Sequence, residues 1–122
     1  MLPEVMEAVT GGRFRSQAAV LRGFARYQFK RRVYPGLIKQ DNGHVNGVLY
    51  LGIDARSLTL LDRFEAHYYK RKTITIESET QNIQCEAYIV SRNYVHLLSK
   101  NSWDVEDFRN NHLAKYLEEM TS

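Results

Sequence analysis

The chain has 122 residues, of which 43% are hydrophobic and 25% are charged, and its formal net charge at pH 7 is +3. These values are typical of one globular domain, expected over residues 1–122, and they exclude an intrinsically disordered chain. No run of about 18 apolar residues predicts a membrane span, and acidic residues stand where a secretory signal would be basic. The single cysteine, Cys85, excludes an internal disulfide and a cysteine-based metal site, so we expect a cytoplasmic protein.

The beginning of the chain predicts a short helix and then a long strand. The helix starts at Pro3 and ends before the glycine pair at 11–12, because proline favours the first turn of a helix and glycine its end. Alternating apolar and polar residues over 18–29 predict a strand whose solvated face carries arginines. The alternation is interrupted next to Gly23, so we expect a bend there.

Two turn-like segments follow this strand, at 34–36 and 41–43. The short stretch between them is expected to be hairpin-like. Residues 45–53 are apolar on both faces of a strand, and this pattern predicts a strand in the centre of the sheet.

The second half of the chain predicts a hairpin and a long helix. Residues 72–78 and 83–89 alternate as strands and are expected to turn at 79–82. Residues 102–120 have a capping-like start and apolar residues at mainly helical spacing, which predicts one amphipathic C-terminal helix. Strands in this number with few short helices favour an α+β fold, with a mixed or antiparallel sheet that forms a small barrel.

A helix predicted over residues 55–65 places one carboxylate among leucines. At about 100° per residue, Glu65 lies on the same stripe as Leu58 and Leu61, away from the polar side chains. A carboxylate among apolar side chains loses hydration, and its pKa rises toward values at which one group both accepts and donates a proton. Glu65 is therefore our candidate acid/base residue. The alternative is that Glu65 pairs at the helix end with a nearby cation, Lys70, Arg71 or Lys72.

Residues 61–71, LDRFEAHYYKR, are similar to a motif of the gamma-glutamylcyclotransferase-like family, which includes the avirulence-induced-gene proteins. The motif is Leu-Asp-x-Phe/Tyr-Glu-Gly-x-x-Tyr-x-Arg, and Ala66 stands here where the family usually has Gly. Further segments resemble family features in the same order: VYPGL at 33–37, VNGVLY at 45–50, AYIV at 87–90 and WDVEDF at 103–108. The resemblance spans nearly the whole chain.

The resemblance implies a mixed barrel around a small cavity, with Glu65 as the catalytic acid/base. The reaction it implies is ring closure of a gamma-glutamyl amine or peptide to 5-oxoproline, an acyl transfer that releases an amine. Tyr34, Tyr69 and Tyr88 match family tyrosines that line the cavity, and Arg71 is a candidate for binding a substrate carboxylate. No metal or cofactor is expected, because the nucleophile belongs to the substrate.

The family opens with a strand that ends in Tyr-Gly-Thr/Ser-Leu, a loop whose backbone NH groups bind the substrate. This chain begins at Met1-Leu2-Pro3, so we expect it to lack that first strand and loop. Without the loop, NH donors for a developing oxyanion would be lost. An open sheet edge also invites pairing with a second chain, so a homodimer is expected.

Two other functions are open from the residues alone. In the first, the protein binds a small molecule in the cavity without turnover. In the second, it is a basic module whose segment 26–35, RYQFKRRVYP, binds nucleic acid through phosphate contacts and aromatic stacking. The acidic residues elsewhere weaken the nucleic-acid interpretation. The tyrosines also have an ordinary alternative as buried aromatic side chains, and Arg71 has one as a salt-bridge partner of Asp62.

Overall fold

The computed structural model describes residues 1–78 and 80–121. Its elements in chain order are α1 (Pro3–Thr10), β1 (Arg15–Phe29), β2 (Pro35–Leu51), α2 (Ala55–Glu65), β3 (Tyr69–Glu77), β4 (Asn82–Val90), a 3-10 helix (Arg92–Leu97), β5 (Leu98–Ser102), α3 (Val105–Asn111) and α4 (Leu113–Thr121). Within the described ranges, no helix is both long and apolar enough to cross a membrane.

The five strands form one sheet in the order β2-β1-β3-β4, and β5 pairs with β1. Every strand pair recorded among the described residues is antiparallel. The α+β class is confirmed, whereas the sheet is not closed into a barrel within the described ranges. Strands β1 and β3 are joined through Val20 and Glu77, so the two hairpins are held together at a narrow junction.

The prediction that residues 45–53 form a central strand is wrong. Residues 45–51 belong to β2, which ends at Leu51 and lies at one edge of the sheet, while β1 is the strand with β2, β3 and β5 as neighbours. The apolar pattern on both faces of β2 does not reflect burial on both faces. Val48 remains 46% exposed and Leu51 40% exposed.

A β-bulge bends the first hairpin where the sequence predicts it. The pairing shifts between Arg22 and Phe24, and Gly23 between them has a φ of 82°. On β2 the pairing jumps from His44 to Lys39, so the predicted turn at 41–43 is an excursion within one strand and does not end it. This feature twists the hairpin and changes which face later residues of β1 occupy.

The hairpin of β3 and β4 is confirmed, with Tyr69 paired to Val90 at one end and Glu77 to Asn82 at the other. Of its predicted turn, Glu79 lies outside the described residues. The predicted single C-terminal helix is wrong, because two helices are present. Asp104 caps α3 by accepting hydrogen bonds from the Glu106 and Asp107 amides.

The break between α3 and α4 occurs at His112, whose φ of −130° and ψ of −24° depart from helical values. The apolar pattern of residues 102–120 continues across this break, because both helices bury apolar faces. Phe108 on α3 and Leu113 on α4 belong to the same core cluster. Helical spacing over the whole segment therefore predicted the buried faces but not the turn between them.

The core has two parts. One lies on the sheet and contains Leu21, Phe24, Leu49 and Ile76. The other lies among the helices and contains Val5, Phe108 and Leu113, with Trp103 and Tyr116 packed against it. Each fully buried side chain of this kind contributes about 1.5–3 kcal/mol to folding. Helix α1 is thereby fixed against α3 and α4.

Candidate active site

Glu65 is the last residue of α2, a helix with a capped first turn and one buried face. Asp54 caps the first turn by accepting a 3.2 Å hydrogen bond from the Ser57 amide. Leu61, only 2% exposed, lies one turn before Glu65 on the same face. The helix therefore carries the Glu65 side chain inward along the path that Leu61 takes, as the helical pattern predicts.

The surroundings of Glu65 disfavour its charged form. Burial raises the pKa of Glu65 to about 7, and the positive charge of the Met1 α-amino group lowers it by a smaller amount. Burial in turn lowers the pKa of the Met1 α-amino group, while the negative charge of Glu65 opposes that effect. The Tyr50 hydroxyl donates a 2.6 Å hydrogen bond to the Met1 carbonyl oxygen. Burial of Glu65 thus favours its protonated form more than in an exposed glutamate.

Tyr69 forms one wall beside Glu65. Its hydroxyl donates a 2.5 Å hydrogen bond to the Pro35 carbonyl oxygen, and its ring meets Phe29 edge-on at 5.9 Å between centroids. Burial raises the pKa of Tyr69 strongly, and the negative charge of Glu65 raises it further. Phe29 is only 2% exposed, and its ring contacts the rings of Tyr34, Tyr68 and Tyr69.

Tyr34 and Tyr116 extend the aromatic wall. The Tyr34 ring lies 5.5 Å from Phe29 and 6.5 Å from Tyr116, measured between centroids. Burial raises the pKa of Tyr116 to about 12, and the charge of Glu65 acts in the same direction. Helix α4 therefore brings a tyrosine to the site from the far end of the chain.

Arg71 and Tyr88 form a polar cluster around Asp62, which lies about one turn before Glu65 on α2. Arg71 Nε lies 2.9 Å from Asp62 Oδ1, and Arg71 also pairs with Glu86. The Tyr88 hydroxyl donates a 2.6 Å hydrogen bond to the same Asp62 oxygen. Burial and this hydrogen bond raise the pKa of Tyr88, and Glu65 adds a smaller effect. The alternative prediction of a salt bridge between Arg71 and Asp62 is confirmed.

Sequence reasoning missed two residues near the site. It assigned Tyr116 to packing of the C-terminal helix, since nothing in its local sequence distinguishes it from a core aromatic. It placed Arg26 on the solvated face of β1, whereas the Arg26 guanidinium lies over the Trp103 ring, 4.9 Å from its centroid. The bulge at Gly23 explains this difference. Leu21 and Phe24 are both buried although they are three residues apart. In a regular strand residues three apart lie on opposite faces, so the alternation is interrupted between them.

Two arginines that precede the basic segment 26–35 form ion pairs with carboxylates. Arg13 pairs with Glu7 at 2.9 Å, and Arg22 pairs with Glu77 at 2.8 Å. Two open clefts lie elsewhere, one of about 540 Å3 between α1 and α4 and one of about 310 Å3 among β1, β2 and the end of β3. Neither is lined by Glu65.

The chain is similar to known proteins over most of its length. The family described as gamma-glutamyl cyclotransferase, AIG2-like, matches residues 1–105. AIG2-like protein C of Arabidopsis thaliana is 37% identical over 94 residues, which cover 75% of this chain and 54% of that protein. Protein AIG2 C of the same organism is 30% identical over 103 residues, covering 82% of this chain and 61% of the relative. The chain thus spans little more than half the length of these relatives.

Solved structures give the same result for the fold. A solution structure of an Arabidopsis thaliana protein superposes with a TM-score of 0.72 at 26% identity, covering 99% of this chain and 74% of that one. A second has a TM-score of 0.70 at 25% identity, with 97% and 80% covered. A structure titled gamma-glutamyl cyclotransferase has a TM-score of 0.61 at 13% identity, with 99% and 80% covered. At 13% identity the last likeness concerns the fold alone.

Proposed function

This chain belongs to the gamma-glutamyl cyclotransferase, AIG2-like family, and on that premise we propose that it converts a gamma-glutamyl amine or peptide to 5-oxoproline and a free amine. The proposed enzyme is one domain, residues 1–122, with Glu65 as general acid and base. One observation carries the proposal: Glu65, the residue that matches the family motif, has its pKa raised by burial to about 7. A group with that pKa accepts and returns a proton at neutral pH.

The proposed reaction begins at the α-ammonium group of the substrate. The Glu65 carboxylate takes one proton from this group, and the nitrogen lone pair then attacks the γ-carbonyl carbon of the same molecule. The new N–C bond closes a five-membered ring. Because attacking and attacked atoms belong to one molecule, ring closure has a large proximity advantage.

The ring intermediate collapses when the bond to the departing nitrogen breaks. Protonated Glu65 gives its proton to that nitrogen, which regenerates the carboxylate. The second proton is released as the ring nitrogen becomes an amide, and the departing amine takes it up in water to leave as an ammonium ion. All atoms are accounted for, and the proposed chemistry uses no metal or cofactor.

The other candidate residues take different roles in this proposal. Tyr34 and Tyr69 form the wall of the substrate site, and their rings exclude water from Glu65. Arg71 and Tyr88 hold Asp62 from two sides, so we assign them to fixing α2, from which Glu65 projects. The proposal thus moves Arg71, which already pairs with Asp62 and Glu86, from direct carboxylate binding to positioning. The cytoplasmic location remains a prediction.

The experiment measures 5-oxoproline release from a panel of gamma-glutamyl amino acids and amines. Glu65→Gln is expected to lower kcat/KM by about 100-fold or more, the usual contribution of a general acid/base. Glu106→Gln is the matched control, since Glu106 is an exposed residue of α3, and it should retain the wild-type rate. Full activity in Glu65→Gln would contradict the proposal.

The panel is also run on the chain extended by a strand that ends in Tyr-Gly-Thr-Leu. The backbone NH groups of the added loop are expected to raise the rate, because one oxyanion donor contributes about 100-fold in other enzymes. Turnover that depends on Glu65 in either version supports the enzyme. If neither version releases 5-oxoproline from any substrate, the protein is a binding protein with an inherited cavity and the proposed activity is wrong.

A further inference from the structure

The turn after β1 carries three consecutive cations, Lys30, Arg31 and Arg32, which we call the basic turn. All three are exposed. Within residues 1–78 and 80–121, none of them forms an ion pair with a carboxylate. The basic turn therefore presents positive charge to the solvent that no neighbouring carboxylate neutralises.

Hydrogen bonds connect the basic turn to two elements of the fold. The Lys30 Nζ donates a 3.1 Å hydrogen bond to the His96 carbonyl oxygen in the 3-10 helix. The Arg32 amide donates a 3.2 Å hydrogen bond to the Phe29 carbonyl oxygen, and the Gln28 side chain donates a 2.8 Å hydrogen bond to the Arg32 carbonyl oxygen. Because both its ends are bonded, the turn adopts few conformations, and its binding to a ligand costs little ordering.

Arg31 has a backbone conformation that favours glycine. Its φ of 59° lies in the left-handed region, where the Cβ of any other residue is crowded. Strained positions of this kind cluster at binding and switch sites. The exposed Arg31 side chain is therefore a candidate contact for a ligand.

Aromatic rings lie beside the basic turn. The ring of Phe29, the residue before the turn, lies 5.3 Å from the Tyr68 ring. Tyr68 lies 4.5 Å from His67 and 5.2 Å from Tyr94, measured between centroids. His67 is exposed, and Tyr68 and Tyr94 are half-buried. We call His67, Tyr68 and Tyr94 the aromatic cluster, and its partly exposed rings offer a surface on which bases can stack.

The acidic residues that weaken a nucleic-acid interpretation of the sequence have partners of their own. Asp62 and Glu86 both pair with Arg71, and Glu77 pairs with Arg22. These arginines offset the charge of the three carboxylates. The carboxylates therefore do not neutralise the basic turn.

The segments that build this surface contain no acidic residue: 29–34, 66–70 and 91–97 have neither Asp nor Glu. We propose that the basic turn and the aromatic cluster together bind single-stranded nucleic acid, with phosphates at the cations and unpaired bases on the rings. An anionic membrane would use the cations alone, whereas the structure places aromatic rings next to them. The proposed surface does not use Glu65, so it is independent of the proposed enzyme activity.

The test measures binding of a labelled oligo-thymidine of about 12 nucleotides, within the usual site size of small domains, by fluorescence anisotropy. An abasic strand of the same length and charge is the matched ligand. The abasic strand should bind at least about 5-fold more weakly, the contribution of one stacked base. The slope of log Kd against log salt should be about 2 if three phosphates are bound.

Arg31→Gly separates binding from folding. It removes one cation and places glycine at a positive φ, so the salt slope should fall by about 0.7 while the free energy of unfolding stays equal or rises. Arg15→Gln is the matched control. It removes the same charge from an exposed position at the other end of β1 and should keep the wild-type affinity.

Tyr94→Leu tests the aromatic cluster. It should weaken binding of oligo-thymidine and leave the affinity for the abasic strand unchanged, a pattern that a misfolded variant would not give. Equal affinities of the wild type for the two strands would overturn the inference, and so would wild-type binding by Arg31→Gly. A wild type that binds phosphatidylserine vesicles but not oligo-thymidine would also overturn it, because the surface would then recognise a membrane.

Discussion

The Tyr88 hydroxyl donates a 2.6 Å hydrogen bond to Asp62 Oδ1, and this bond joins strand β4 to the helix that carries Glu65. Tyr88→Phe removes the bond and keeps the ring. We expect the free energy of unfolding of the variant to be about 1 kcal/mol lower, as for a typical lost hydrogen bond. We also expect lower activity, because α2 is held less firmly.

The measurement is urea denaturation together with kcat/KM for 5-oxoproline release. Tyr94→Phe is the matched control, because the Tyr94 ring contacts His67 and Tyr68 and the substitution keeps these contacts. An unchanged free energy of unfolding in Tyr88→Phe would show that the bond to Asp62 does not hold α2 in solution.

Glu65 should make the protein less stable as the pH rises, whereas a carboxylate with a lowered pKa has the opposite effect. The folded-state pKa of Glu65 is raised from 4.5 to about 7, so between these pH values the folded state binds more protons than the unfolded state. The free energy of unfolding therefore falls as pH rises through this window. At about 1.4 kcal/mol per pKa unit the loss above pH 7 is roughly 3 kcal/mol.

Glu65→Gln removes this titration, so the variant should be more stable than the wild type above pH 7 and lose that advantage near pH 4.5. Urea denaturation across this range measures the difference. A wild type and variant whose difference stays constant with pH would mean that the Glu65 pKa is not raised. In the proposed reaction the same group must be ionised, so kcat/KM should also rise with pH through about 7.

The sequence predicts Glu65 and its surroundings well, because the angular position of a residue on a helix depends only on neighbours in the chain. The bounds of α2 and the inward stripe of Leu61 follow from this periodicity. Residues 61–71 also contain the family motif, so two independent signals coincide. The catalytic role of Glu65 stays a proposal until it is measured.

The sequence does not predict the place of Arg26, because strand faces depend on register. The register of β1 shifts at Gly23, and Arg26 beyond this shift packs against Trp103 instead of facing solvent. Strand β5 was missed for a related reason. Its residues do not alternate, and its pairing of Leu98 with Phe29 depends on a strand far away in the chain. Whether β2 lies at the centre or the edge is likewise decided by distant strands.

Gly43 is required where β2 departs from regular pairing. A Cβ at this position would lie 2.5 Å from the Phe24 carbonyl oxygen, and this backbone atom cannot rotate away. Gly43→Ala should therefore destabilise the protein by about 1–3 kcal/mol, as overpacked sites do. Gly47→Ala on the same strand meets nothing within 4 Å and is the matched control. Equal free energies of unfolding for the two variants would contradict this account of the hairpin.

The outer edge of β2 is expected to pair with a second copy of the chain. Among the described strands β2 pairs only with β1, and exposed backbone groups of an edge strand favour pairing with another strand. Val48 and Leu51 add exposed apolar side chains along it. Light scattering should therefore give about twice the chain mass of 14.3 kDa, and Val48→Lys should give monomers, since edge lysines oppose strand pairing. A wild type that is monomeric at every concentration tested would rule out this dimer, and a Val48→Lys variant that still dimerises would place the interface elsewhere.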